Sequence, residues 1–288
     1  MSEILVLNSI NSPSKPVYFQ LERTVNMPFN GNKILFATTS DRQKVVIKLV
    51  PDSDKARKEW MGLSVAYMSS IPVPTPLMFG VTKNNTPGIV SKRIDGRLLY
   101  GNKNPDTRIE FGNIVQRLHS NVQVEQSDKD YSFYERSLND WTKRGYFSPS
   151  LFDKFAWSMS QYCQIAPSVL CHGDLHDGQV IKSPPGLVLI DFEKWQSNRP
   201  LYELGIYLFH CLRTGSDIQN FRNFVMGYTD RTYLDETEKQ TLMYYLLHIS
   251  TGALNYFLEV NNWYLEYARQ NQRKVLKFIN DEVVWKIL

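Results

Sequence analysis

Long apolar runs are missing from this sequence. No stretch approaches the roughly 20 residues needed to span a bilayer. Cysteine is scarce: Cys163, Cys171 and Cys211 are the whole complement. An odd count without CxxC spacing argues against a disulfide scaffold or a zinc cluster. Neither sign of charge dominates, since 33 basic and 29 acidic residues leave a net charge of +4. That excess does not demand nucleic acid, and it is compatible with phosphate-bearing ligands. There is no low-complexity tract and no internal repeat. The opening "MSEILVLNSINSPSKP" has no basic n-region and only a very short apolar stretch, so it does not read as a signal peptide. The expected location is the cytoplasm. What remains is an ordinary soluble composition on a chain of 288 residues, long enough for one or two domains.

The first third reads as strands with one helix. "PVYFQLERTV" (16–25), "NKILFATTS" (32–40) and "QKVVIKLV" (43–50) are β-rich, and the "DR" between the last two has the composition of a hairpin turn. The loop "NMPFNGN" (26–32) places Gly31 near its tip. Residues 52–70 carry apolar positions at helical spacing behind a candidate cap at Asp52 or Ser53. "IPVPTP" breaks that helix, and "LMFGVT" and "PGIVSKRI" read as two more strands. Beyond about residue 94 the pattern becomes helical: 104–120, 133–144, 149–163, 200–213, 217–228 and one long stretch, 235–279. Short strands are expected at 168–171, 179–182 and 187–192. The expected fold class is therefore α+β. It has a small antiparallel β lobe with one helix at 1–94 and a larger helical lobe at 95–288. Small-molecule sites favour domain interfaces, which makes a cleft between lobes the default pocket.

The segment "CHGDLHDGQVIKSPPGLVLIDFEKW" (171–195) concentrates charge between two apolar runs. Asp174 and Gln179 form D-x-x-x-x-Q. In phosphoryl-transfer catalytic loops the spacing D-x-x-x-x-N puts an Asp on the acceptor hydroxyl and an amide oxygen on a metal. "LVLIDFE" offers a second carboxylate, Asp191, at the end of an apolar strand. Hard cations such as Mg²⁺ take oxygen ligands and share them with substrate phosphates. "PPG" supplies a turn that folds the two strands together. Lys48, in the alternating run "VVIKLV", needs an anion if it faces inward. Kinase-type sites supply the nucleotide's phosphates, with a helix Glu holding the lysine, and Glu59 on the following helix is the natural partner.

The string "VLCHGDLHDGQVIKSPPGLVLIDFEKW" resembles the signature of the aminoglycoside phosphotransferase and choline kinase-like family, H-G-D-x-H-x-x-N followed by I-D-[FW]-E/D. "FNGNKILFATTSDRQKVVIKLV" resembles that family's nucleotide loop, strand pair and lysine. "IVSKRIDGRLL" resembles its hinge, "IVQRLHS" the helix end before the substrate lobe, and "RPLYELGIYL" the helix after the metal-binding strand. The resemblance runs in order over about residues 18–215. It implies a bilobal protein-kinase-like fold and phosphorylation of small-molecule hydroxyls with ATP or GTP. It also implies Asp174 as catalytic base, Gln179 and Asp191 as Mg²⁺ ligands and Lys48 on the α/β-phosphates, oriented by Glu59. Gly31 would let the loop approach the phosphates, and Lys92, Arg93 and Ile94 would meet the adenine through backbone groups. Gln179 departs from the family's Asn. The extra methylene reaches further and costs more rotamer entropy to fix, which brings Mn²⁺ in beside Mg²⁺.

Duller readings exist for each residue. Asp174 alone is a turn residue, Lys48 alone an edge-strand lysine, and Gly31 alone the "NG" of any hairpin. His172 and Glu203 read as braces of the loop backbone, His176 as a loop-orienting residue more than an acceptor contact. The three cysteines read as small buried apolar groups. The aromatics at 244–267 read mostly as core. Taken together, the motifs lead to a small-molecule O-phosphotransferase, with antibiotic, sugar and amino-alcohol acceptors all open. The alternatives are an atypical protein kinase and a kinase-fold protein with little catalysis.

Overall fold

A computed structural model describes residues 4–10, 12–27, 31–125, 130–216, 218–260 and 264–281. The architecture is α+β, and contacts divide the chain into two compact units. The first comprises Met1–Leu99 with Gly178–Trp195, and the second Tyr100–Asp177 with Gln196–Leu288. Residues 178–195, expected within the lobe at 95–288, therefore pack with the N-terminal residues. Their hairpin hydrogen-bonds to that unit: Leu99 N–H donates to Val180 O and Leu189 N–H to Pro72 O.

In the first unit, six strands close into a barrel in the order β1-β2-β3-β4-β6-β5. They are β1 (Ile4–Ser9), β2 (Ser12–Asn26), β3 (Lys33–Thr39), β4 (Lys44–Leu49), β5 (Pro76–Thr82) and β6 (Pro87–Lys92). All the pairings are antiparallel. Every second residue points inward, so Leu35 and Ala37 of β3 and Val45 and Ile47 of β4 meet Leu7, Phe19 and Val90 in the barrel core. The turn between β3 and β4 puts Arg42 at φ 65, where Thr39 O accepts its N–H. β1 was absent from the sequence expectation, although it closes the barrel by pairing with both β2 and β5.

The helix α1 (Ser53–Met68) is capped by Asp52, whose carboxylate accepts the N–H groups of Asp54 and Lys55. Such a cap is worth about 1 kcal/mol. A short strand β7 (Arg97–Leu98) pairs with β9 (Val180–Ser183), which forms a hairpin with β10 (Gly186–Leu189). The expected strand 187–192 thus ends early: Asp191 has left-handed backbone (φ 67) and leads into a 3-10 turn, Phe192–Lys194. That turn packs Trp195 onto α1. A Cβ on Gly62 would lie 2.4 Å from Trp195 Cδ1, so only glycine permits this approach. The Trp195 indole also donates to Lys58 O at 2.6 Å.

The second unit is helical: α2 (Pro105–Asn121), α3 (Tyr131–Lys143), α4 (Pro149–Ile165), α5 (Pro200–Thr214), α6 (Ile218–Thr229), α7 (Glu236–Val260) and α8 (Leu265–Ile279). Two short strands, β8 (Val169–Cys171) and β11 (Gln196–Asn198), pair antiparallel. Proline at the first turn of α2, α4 and α5 suits a position whose N–H has no helical partner. α2 and α6 pack backbone to backbone: a Cβ on Gly112 or Gly227 would fall 2.0 Å from a carbonyl oxygen of the other helix. The expected single helix over 235–279 is two helices. The expectation that its aromatics are mostly core holds for its first part alone. Tyr244 and Tyr245 are buried, whereas Tyr256, Tyr264 and Tyr267 are exposed, and Trp263 lies outside the described residues. Among the described residues, no helix is long and apolar enough to cross a membrane.

Candidate active site

Lys48 sits on β4 on the face opposite Val45 and Ile47. That face is turned from the barrel core and covered by α1 and by residues 191–193. Its ammonium contacts Asp191 Oδ1 at 2.6 Å, Glu59 Oε2 at 2.8 Å and Glu193 Oε2 at 3.0 Å. The Lys48 side chain is only 12% exposed. Burial alone would lower its pKa, but Asp191, Glu59 and Glu193 together outweigh that and hold it above the ordinary lysine range. Burial pushes the Glu59 carboxyl up to about 7, against the pull of Lys48 and with repulsion from Asp191. Three carboxylates against one ammonium make a cluster with excess negative charge, a donor set suited to a hard divalent cation.

Gln179 and Asp191 meet because the β9–β10 hairpin lies between them. Ile190 N–H closes it by donating to Gln179 O at 2.9 Å. The Gln179 side-chain amide donates to Asp191 Oδ2 at 3.1 Å. Asp191 therefore carries Lys48 on one oxygen and Gln179 on the other. Its left-handed backbone is uncommon for a non-glycine residue, though Asp tolerates it better than most.

Gly31 adopts φ +70, a conformation glycine takes without penalty. Met27 N–H donates to Asn32 O at 2.8 Å across the base of its loop, and residues 28–30 of that loop lie outside the described residues. Asn32 is buried and donates to Glu193 Oε2 at 3.4 Å, which links the loop to the Lys48 cluster. At the expected hinge, Lys92 N–H donates to Thr75 O and Arg93 N–H to Lys44 O. The Arg93 side chain pairs with Glu22 and Asp95 and lies over the Phe36 ring. Ile94 follows directly in the chain.

In the second unit the loop 172–177 leaves β8 with Gly173 at φ 81. Its backbone is held by Glu203 of α5, which is fully buried. Glu203 accepts the N–H groups of His172 and Gly173, the latter at 3.2 Å. His172 Nδ1 in turn accepts the Asp174 N–H at 3.4 Å. Arg108 of α2 holds the far end of the loop through both oxygens of Asp177, and also donates to Tyr207 and Asn102 O. The Asp174 carboxylate lies 3.7 Å from His210 Nε2, and the rings of His176 and His210 sit with centroids 4.5 Å apart. Burial, then the neighbouring His210, pushes His176 down to about 4.

A family model described as the phosphotransferase enzyme family matches residues 30–238. The chain belongs to that family. No curated protein matches this phosphotransferase. Solved structures share its fold. A choline/ethanolamine kinase family protein from Mesorhizobium loti is 13% identical with a TM-score of 0.64, covering 93% of this chain and 90% of that one. A thermostable mutant of an aminoglycoside phosphotransferase, solved with ADP and hygromycin B, is 13% identical with a TM-score of 0.65, over 89% and 92% of the two chains. Amicoumacin kinase, solved with AMP-PNP and Ca²⁺, is 14% identical with a TM-score of 0.61, over 89% and 90%.

Some residues of the candidate site carried little sequence signal. Glu193 belongs to the "DFE" string, but its contact with Lys48 depends on the 3-10 turn after Asp191. His210 sits mid-helix in an apolar run with no motif around it. Arg108 and Asp177 are 69 positions apart, and nothing in either segment announces the pair.

Proposed function

We propose that this phosphotransferase moves the γ-phosphate of ATP or GTP to a hydroxyl group of a small molecule with Mg²⁺, or Mn²⁺, as cofactor. The observation that carries the reading is the contact of Lys48 with Asp191 and Glu59, three residues from a strand, a helix and a post-hairpin turn gathered around one buried ammonium.

Lys48 would contact the α/β-phosphates, and Glu59 would keep its ammonium in place. Gly31 would admit the loop backbone close to the phosphates. The N–H groups of Lys92 and Arg93 already have carbonyl partners, which directs the adenine toward the backbone of Ile94. Asp191 and Gln179 would hold the divalent ion. When bound, such an ion neutralises phosphate charge. Asp174 would orient the acceptor hydroxyl and accept its proton at a carboxylate oxygen as the oxygen attacks phosphorus in line. Glu203, His172 and Arg108 would fix the loop that presents it.

A small acceptor is favoured over a protein. Protein kinases follow the metal-binding Asp with a long activation segment that forms a peptide platform. Here the chain runs from Asp191 through a 3-10 turn and the strand β11 straight into α5 at Pro200. Antibiotic, sugar and amino-alcohol hydroxyls all fit the chemistry. Three buried free cysteines accord with a reducing, cytoplasmic setting.

The test follows labelled γ-phosphate from ATP and from GTP to a panel of hydroxylated small molecules and, in parallel, to a peptide library. Transfer to a small molecule is expected. Transfer to peptides alone would move the assignment to an atypical protein kinase. Metal-dependent nucleotide binding with no transfer to anything would favour a weakly catalytic kinase-fold protein, the reading to which Gln179 in place of Asn lends weight.

A further inference from the structure

We propose that Asp174, His176 and His210 form a transition-metal site, selective for Zn²⁺-like ions, whose occupation shuts off phosphoryl transfer. The ligand atoms of the three side chains all lie within 4.8 Å of one another. A Zn²⁺ ion sits about 2.0–2.2 Å from imidazole nitrogen and carboxylate oxygen, so modest rotamer adjustment brings three ligands onto one ion. Two nitrogens and one carboxylate suit zinc and its neighbours in the first transition row. Mg²⁺ and Ca²⁺ want oxygen throughout. This donor set is thereby chemically distinct from the all-oxygen cluster of Glu59, Asp191 and Glu193.

The surroundings are those of a ligand set already oriented. The Tyr100 hydroxyl is 3.3 Å from His176 Nδ1, which assigns the coordinating role on that ring to Nε2. A hydrogen bond to the second imidazole nitrogen is the usual way a protein sets a metal-binding histidine. His210 comes from α5, so helix packing fixes its ring, and its Nε2 already faces the Asp174 carboxylate at 3.7 Å. Three protein ligands leave a fourth position for water, as in open zinc sites. An ion there occupies the carboxylate that otherwise accepts the acceptor's proton. The inhibitory part of the proposal rests on Asp174 as the base. The binding part does not.

The experiment titrates metal-stripped protein with Zn²⁺ by calorimetry and with Co²⁺ by visible absorption. One equivalent should bind, with a tetrahedral Co²⁺ spectrum. His176→Ala and His210→Ala should each weaken binding by more than tenfold, and Tyr100→Phe by about 10–100-fold, the usual cost of an outer-shell partner. His176→Ala, on a half-buried loop rather than within a packed helix, keeps the test available if the α5 variant does not fold. Cys171→Ser is the control for the buried His119, Cys171 and Glu203 group and should leave binding unchanged. Binding that survives both histidine variants, or that disappears in Cys171→Ser, overturns the site. Where phosphoryl transfer is measurable, Zn²⁺ should abolish it and a chelator restore it. One-equivalent binding with undiminished transfer overturns the inhibition, and turnover of Asp174→Asn then separates the causes: full turnover removes Asp174 as the base, lost turnover keeps that role and discards only the inhibition.

Discussion

Gln179 donates its side-chain amide to Asp191 Oδ2 at 3.1 Å. The longer side chain thus reaches the carboxylate beside which a metal-binding amide is expected. Gln179→Asn removes one methylene and shortens that reach. Mg²⁺ demands near-ideal octahedral geometry, so the variant should keep metal-dependent nucleotide binding and shift its Mg²⁺/Mn²⁺ preference toward Mg²⁺. Nucleotide titrations with each ion measure the ratio. An identical ratio in both proteins would take Gln179 out of the metal site.

Asp174→Asn keeps the shape of the loop side chain and removes the proton acceptor. Nucleotide affinity should be unchanged, while transfer to a verified acceptor falls about 10²–10⁴-fold, the usual worth of a general base. Full turnover in the variant excludes Asp174 from that role.

Stability should fall with rising pH on account of Glu59. Its carboxyl is raised from 4.5 to about 7 in the folded chain. Between those values the native state holds a proton that the unfolded state has released, so native stability decreases as pH rises through this window. Glu59→Gln removes that term. Urea unfolding at several pH values between 4.5 and 7 should give a flatter profile for the variant than for the parent protein. Parallel profiles would mean that Glu59 does not titrate high.

Glu203→Ala leaves the N–H groups of His172 and Gly173 without their acceptor in a buried setting. An orphaned buried donor costs about 1–3 kcal/mol, so the variant should lose at least that much. Glu203→Gln, which keeps an acceptor oxygen, should lose less. Equal losses for the two would assign Glu203 to packing alone.

The sequence was most readable where local chemistry decides. The helix at 52–70, the Asp41–Arg42 turn and the "PPG" hairpin follow from caps and turn residues acting on their neighbours. Lys48 and Glu59 could be paired in advance because kinase-type sites set a strand lysine against a glutamate of the helix that follows. β1 was not readable. Its apolar residues run consecutively rather than alternating, and of the strand only Leu7 is fully buried. The end of β10 was misplaced because the apolar run "LVLI" carries no local mark of where the strand stops, whereas Asp191 takes a left-handed backbone with its carboxylate on Lys48 and Gln179. His210 shows the same limit. Its place beside Asp174 depends on how α5 packs, and packing between distant segments leaves no local trace.

Gly62 and Trp195 lock α1 to the turn that follows Asp191, with the indole N–H fastened to the helix backbone. Glu59 rides on that helix, and Asp191 and Glu193 on the turn, so the three carboxylates that hold Lys48 are tied together by this one contact. Outward displacement of α1 would have to break the Trp195–Lys58 hydrogen bond and open the Gly62 contact before Glu59 could leave Lys48.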